Sequence, residues 1–270
     1  MNDQVKLEIT NGVGVITLNR PEGFNTFNVA MMSNMAEKLI RLSCDEDVVG
    51  VVLTGAGKAF CAGADLKWLN ACDMAPGAAF RTVAAVYHQA IIEIRRMPKP
   101  VVAAVNGMAA GGGFSMALAC DFRVIARSAV FRQAYTSNGL SVDGGGTYTL
   151  PRLVGLARAM EIVAFDRPIS AEQALAWGLV TEVVEDGRAV NRAVAMIQEI
   201  AKLPLSSFMA SKKLLTDSLH TPFEHQLEKE REFLAWCANH PNGQEGIEAF
   251  LGKRSPVYNS RELGARSKEA

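Results

Sequence analysis

At 270 residues the chain is long enough for one large domain or for a core with an appendage. Its 28 basic residues balance 28 acidic ones, so no global field draws in nucleic acid or a membrane surface, and neither is an expected partner. The five cysteines (Cys44, Cys61, Cys72, Cys120, Cys237) include no CxxC pair and sit in apolar surroundings, as free thiols do in a reducing compartment, so no disulfide is expected.

The opening Met-Asn-Asp-Gln lacks the basic-then-apolar pattern of a secretory signal, and a cytoplasmic protein is expected. Residues 5–18 alternate around Asn11-Gly12, a dipeptide suited to a tight hairpin turn because both positions tolerate positive φ. Asn28 can cap a helix to about residue 42, with Met31, Met35, Leu39 and Leu42 at helical spacing. Residues 48–54 read as an apolar strand that ends in a glycine-rich turn, 55–66, leading into a short helix. A longer helix over 78–97 is stopped by Pro98 and Pro100.

A β-branched strand at 101–105 then enters the central stretch 106–121, Asn-Gly-Met-Ala-Ala-Gly-Gly-Gly-Phe-Ser-Met-Ala-Leu-Ala-Cys-Asp. It reads as a glycine turn and a buried helix whose first turn is Gly111 to Gly113. Such a turn aims unpaired N–H groups and the positive end of a helix dipole at whatever lies in front, which suits a phosphate, a carboxylate or an oxygen that turns negative during a reaction. Close packing of a glycine-rich helix is the plain alternative. Residues 101–120 carry no charge and have the length of a membrane span, but Asn106 and four glycines mark a buried core element instead.

Strands are expected at 122–126 and, shorter, at 129–133. A third glycine cluster, 139–151, presents Asp143 ahead of three glycines, either as a group held on a rigid turn or as a turn-former bonded to its own backbone. Helices at 157–164 and 171–177, a strand at 179–184 and a helix at 188–201 follow. Pro204 marks the expected boundary. Residues 1–203 alternate strand and helix, and 204–270 read as all-helical, over 205–219, 223–238 and 243–251, with a charged tail from 253 that is solvated or contacts another subunit. The fold class is α/β with a C-terminal all-helical region. Trp177 and Trp236 read as core residues, and no spacing of His, Cys and carboxylates completes a metal site, so no metal is expected.

Several of these stretches, in order and at matching spacing, resemble the enoyl-CoA hydratase/isomerase (crotonase) superfamily. They are Asn19-Arg-Pro21, Leu53-Thr-Gly-Ala-Gly57, Phe60-Cys-Ala-Gly-Ala-Asp-Leu66, Lys99-Pro100, 106–121, 139–155 and Gly178-Leu-Val180. The resemblance implies a spiral of ββα units, with residues 204–270 serving in trimerisation and as a lid, and a homotrimer or a hexamer built as a dimer of trimers. It implies an acyl-CoA thioester substrate from fatty or aromatic acid breakdown, with no cofactor beyond the CoA that the substrate carries. Two backbone N–H groups, falling at Ala64 and Gly112, would hold the thioester oxygen as it becomes an enolate. Ala62, Asp65, Leu66 and Lys67 would line the CoA, Lys67 near its phosphates unless it is simply a solvated first-turn lysine. Tyr135 and Leu140 would line the acyl group.

The family's hydratases carry two glutamates where this chain has Ser115 and Tyr135, so the paired acids that water addition needs are absent. Ser115 is read as small packing in the acyl pocket. Asp143 matches the acidic position of the family's enoyl-CoA isomerases, the phenylacetate-pathway isomerase among them, and one carboxylate suffices to move a double bond. His88 lies beside an apolar stripe of Val83, Tyr87, Ile91 and Ile94, where a structural histidine is usual. Tyr87-His88-Gln89 also resembles the site where the family's 4-chlorobenzoyl-CoA dehalogenases keep a water-activating histidine. The open alternatives are therefore an isomerase, a dehalogenase using Asp143 and His88, a hydratase with atypical acids, and a non-catalytic acyl-CoA-binding relative.

Overall fold

The computed structural model describes residues 4–259. The chain forms two compact units, a larger one extending to Met97 and then over Val101–Ala195, and a smaller one of Pro98–Pro100 with the chain from Met196 onward.

The larger unit opens with the hairpin of β1 (Val5–Thr10) and β2 (Val13–Leu18), in register from Val5 opposite Leu18 to Thr10 opposite Val13. Asn11 and Gly12 turn it with φ of 50° and 75°, as a type I′ turn requires. Helix α1 (Val29–Cys44) starts where the Asn28 side chain accepts from Met31 N–H, and it buries Met31, Met32, Met35, Leu39 and Leu42. The chain continues through β3 (Gly50–Gly55), β4 (Ala59–Cys61), α2 (Leu66–Ala71) and α3 (Pro76–Arg96). Next come β5 (Val101–Val105), β6 (Met108–Ala110), α4 (Gly112–Ala119), β7 (Phe122–Ala126) and β8 (Val130–Arg132). Then follow α5 (Gly146–Phe165), β9 (Ile169–Ser170), α6 (Ala171–Ala176) and β10 (Glu182–Val184).

Strand pairing reveals the repeat. One sheet has the order β1-β2-β3-β5-β7-β10 and the other β4-β6-β8-β9. Each turn of chain delivers one strand to the first sheet and the next to the second, then crosses back through helix, and strands from successive turns lie parallel. This is the expected spiral of ββα units. Helix α4 shows why a glycine-rich stretch can be core: all eight of its residues are buried, so it has no solvent face.

Three local expectations need correction. Met108–Ala110 is a strand, not part of a glycine turn, because it pairs with both β4 and β8. Ile169–Ser170 is also a strand, too short to show alternation. Helix α5 begins at Gly146, eleven residues ahead of the expected 157, with Pro151 inside it. Gly155 (φ 76°, ψ 159°) kinks it, which breaks the apolar period and hides the first half.

In the smaller unit lie α8 (Leu205–Ser218), α9 (Phe223–Asn239) and α10 (Pro241–Leu251), preceded by α7 (Ala189–Ile200), which begins in the larger unit. Lys212 Nζ donates to Lys99 O at 3.3 Å, one tie of residues 98–100 to these helices. The start of the tail is anchored, not free. Arg254 pairs with Glu245, and the Asn259 amide bonds Ala201 O, Leu203 O and Asn242. The rest of the tail, from residue 260, lies outside the described residues. Trp236, expected in the core, is 43% exposed on α9. Among the described residues no helix is long and apolar enough to cross a membrane.

Candidate active site

The loop between β4 and α2 is held by a single parallel bridge. Phe27 N donates to Gly63 O (2.9 Å) and Asp65 N to Phe27 O (2.8 Å), so both bonds use the neighbours of Ala64. The N–H and C=O of Ala64 itself therefore face the other way, and Ala64 lines a cavity. Asp65, expected against CoA, is occupied elsewhere. Its carboxylate caps α2 by accepting from Lys67 N and Trp68 N, and it pairs with Arg20 at 2.7 Å. Burial opposes its ionisation, but Trp68 N–H, Arg20 and Lys67 N–H outweigh it and hold the carboxyl below its ordinary range. Ala62 and Leu66 line the cavity, whereas Lys67 is exposed and does not.

The second wall is the start of α4. Gly111 (φ 53°, ψ −124°) turns the chain, and Gly112 is the first helical residue, where no intrahelical acceptor exists for its N–H. A Cβ at Gly112 would come within 2.7 Å of the Phe27 ring, and one at Gly63 within 3.1 Å of Gly112 N. The two segments carrying the Ala64 and Gly112 donors are thus packed together, and neither N–H has an acceptor among the described residues. Tyr87, read from sequence only as part of an apolar stripe, donates from its hydroxyl to Gly112 O at 2.5 Å and stacks on Phe27 at 4.6 Å. Burial, with the nearby Tyr135 and Asp143 adding to it, pushes the Tyr87 phenol well above its ordinary range, so it stays a neutral donor. A buried hydroxyl in that stripe, which needs a partner, was the available signal.

The acid comes from the third glycine cluster. Gly144 and Gly145 have φ of 60° and 75°, and Gly146 N closes the turn on Asp143 O. A Cβ at Gly144 would lie 2.3 Å from Tyr87 Oη, and one at Gly146 would lie 2.6 Å from Ser115 Oγ. The turn is pressed against both side chains. The Tyr135 hydroxyl donates to Asp143 Oδ1. Burial, then the Asp143 charge, raises the Tyr135 phenol far above its usual range. Ser115 is 1% exposed, does not line the cavity, and packs against the turn at Gly146.

His88 is not in the apolar stripe. It is half exposed, with Nε2 3.6 Å from Asp143 Oδ2 and 3.4 Å from Gly144 N. Nε2 cannot accept from Gly144 and donate to Asp143 at once. At 3.6 Å the second contact is too long for a hydrogen bond, so the bond at this nitrogen is the one from Gly144 N–H.

The cavity encloses about 420 Å³, room for a small acyl group, and Phe27, Phe80, Val83 and Leu140 supply apolar wall. Among the described residues, Asp143 is the one carboxylate in its lining and Arg81 the one cation. Chemically, a carboxylate facing an apolar cavity can take up and return a proton, while the two unpaired N–H groups hold an oxygen that gains charge. Among the described residues no cluster of three or more His, Cys, Asp and Glu side chains could hold a metal ion.

A family model for enoyl-CoA hydratase/isomerase matches residues 8–261. The chain belongs to the enoyl-CoA hydratase/isomerase family. It is 36% identical to a 1,2-epoxyphenylacetyl-CoA isomerase of Escherichia coli over 97% of this chain and 100% of that protein. It is 33% identical to a 4-chlorobenzoyl coenzyme A dehalogenase of Arthrobacter sp over 92% of this chain and 91% of the relative. The crystal structure of an enoyl-CoA hydratase from Polaromonas sp. JS666 superposes with a TM-score of 0.89 at 37% identity, covering 94% of this chain and 99% of that one. Membership establishes an acyl-CoA enzyme of crotonase fold, and relatives of this similarity include isomerase, dehalogenase and hydratase alike.

Proposed function

We propose that this chain is an enoyl-CoA isomerase, with CoA entering as part of the thioester substrate and with no separate cofactor or metal. The observation that carries the reading is a carboxylate, Asp143, alone of its kind among the described residues that line a cavity also presenting Ala64 and Gly112. In a 3-enoyl thioester, Asp143 takes a proton from the carbon next to the carbonyl. The electron pair spreads into the thioester oxygen, where the Ala64 and Gly112 N–H groups stabilise it. The same proton then returns two carbons further along, leaving a 2-enoyl product with nothing gained or lost. Water addition needs a second acid, and Ser115 and Tyr135 stand where one is required. The name of the Escherichia coli relative supports the isomerase reading. Lys67, solvent-exposed, is read as a contact for the CoA phosphates.

The test is mass-resolved turnover of 3-enoyl-CoA and 2-enoyl-CoA by wild type and Asp143→Asn. Conversion of 3-enoyl to 2-enoyl without mass gain, lost in the variant, supports the reading. Water addition at full rate by both proteins overturns it.

A second reading rests on His88, 3.6 Å from Asp143, and on the name of the Arthrobacter relative. There Asp143 attacks a halogen-bearing ring carbon and halide leaves. Water deprotonated by His88 then cleaves the aryl ester, giving a hydroxyaryl thioester and a regenerated carboxylate. Sustained halide release from a chlorobenzoyl-CoA, cut by His88→Gln to a single equivalent per site as the aryl ester accumulates, separates it from the first.

We also infer a cytoplasmic homotrimer or dimer of trimers. The smaller unit leaves Leu215, Phe223, Leu234, Phe250 and Leu251 more than 70% exposed, an apolar load that association would cover. Light scattering on the purified chain decides it, and a monomer would overturn it.

A further inference from the structure

Asp143 does not meet the cavity as a free carboxylate. Two rigid turns bring a phenol to one of its oxygens. The turn carrying Tyr135 is tied down by Gln133 Oε1, which accepts from Tyr135 N at 2.5 Å, and by the buried Asp166, which accepts from Ala134 N at 2.7 Å and from the Ser137 hydroxyl. Opposite it, the Asp143 turn is wedged between Tyr87 and Ser115 by glycines that leave no room for a Cβ. Between them runs the bond from the Tyr135 hydroxyl to Asp143 Oδ1. His88 Nε2 stands 3.6 Å from Oδ2, beyond hydrogen-bond length.

We propose that Tyr135 is a positioning residue that occupies Oδ1 of Asp143 and so presents Oδ2 to the substrate as the proton-accepting oxygen. This rests on the reading of Asp143 as the base. Rotation of the carboxylate would let either oxygen face the acyl carbons, and a proton taken at the wrong one would not be aimed at the second carbon. A donor fixed at Oδ1 removes that freedom before substrate arrives. The polar and charged groups around Asp143 are few: Tyr135 from its turn, Tyr87 and His88 from α3, and Arg81 elsewhere in the cavity wall.

The experiment compares wild type, Tyr135→Phe and Asp143→Asn. Tyr135→Phe is expected to lower kcat by roughly 10- to 100-fold, with little change in KM. A readout independent of turnover is the proton NMR spectrum of substrate-free protein, in which the phenol proton shared with Asp143 gives a downfield resonance absent from Tyr135→Phe and Asp143→Asn. Loss of that resonance in both variants together with the fall in kcat supports the proposal. The same resonance surviving in Tyr135→Phe, or a kcat left unchanged by that substitution, would overturn it. If no enoyl or aryl thioester turns over in any protein, the functional reading falls, and the resonance still shows whether Tyr135 holds Asp143.

Discussion

Two adjacent glycines offer a sharp test of how the acid is held. Gly144 and Gly145 both sit at positive φ, 60° and 75°. Alanine at either position accepts left-handed strain of about 1 to 2 kcal/mol. Both also gain equally from a stiffer unfolded chain, so these contributions cancel in the comparison. What differs is the space. A Cβ at Gly145 meets nothing within 4 Å, whereas one at Gly144 lies 2.3 Å from Tyr87 Oη and 2.5 Å from its ring. That overlap is with a fully buried ring stacked on Phe27, not with the tip of a flexible side chain, and it adds roughly 1 to 3 kcal/mol of overpacking. Gly144→Ala should therefore be less stable than Gly145→Ala by that amount in urea unfolding at equal m-value. Relief of the overlap moves either Asp143 or the Tyr87 bond to Gly112, so activity should fall by about 100-fold in Gly144→Ala and much less in its neighbour. Equal unfolding midpoints and equal activities in the two variants would refute the reasoning.

Asp65 predicts a pH dependence. Its folded carboxyl is depressed, so its stabilisation is present above about 3.9, the ordinary aspartate value, and is lost as pH falls through the folded value. The stability difference between wild type and Asp65→Asn should thus be constant at neutral pH and shrink only below about pH 4, as measured by urea midpoints across that range. A difference that shrinks near pH 6 would point to a different group. Cys61 predicts thiol reactivity. Burial pushes its thiol up to about 12 despite the Gly63 N–H beside it, whereas Cys44 is exposed. Alkylation of native protein at pH 8 followed by mass spectrometry should label Cys44 and spare Cys61 until the chain is unfolded.

The chain's own residues determine what is local. Asn11-Gly12 sets a hairpin, Asn28 caps a helix, and Pro98 with Pro100 ends one, because each acts through backbone angles or hydrogen bonds within a few residues. The order of glycine motifs was enough to point to the family and its spiral. Short-range signals failed where pairing is distant, as at Met108–Ala110, which is a strand only because β4 and β8 flank it. They failed also where a period is broken, as at Gly155 in α5. The same division runs through the site. An acid ahead of three glycines is legible at Asp143, and unshielded N–H groups are legible at Gly112. The phenol on Oδ1 and the imidazole near Oδ2 come from positions 135 and 88, and the hydroxyl bracing Gly112 comes from position 87. Nothing in a sequence states which side chains cross such distances to meet. That is decided by packing, where a missing Cβ lets two turns touch and a buried hydroxyl must find its acceptor.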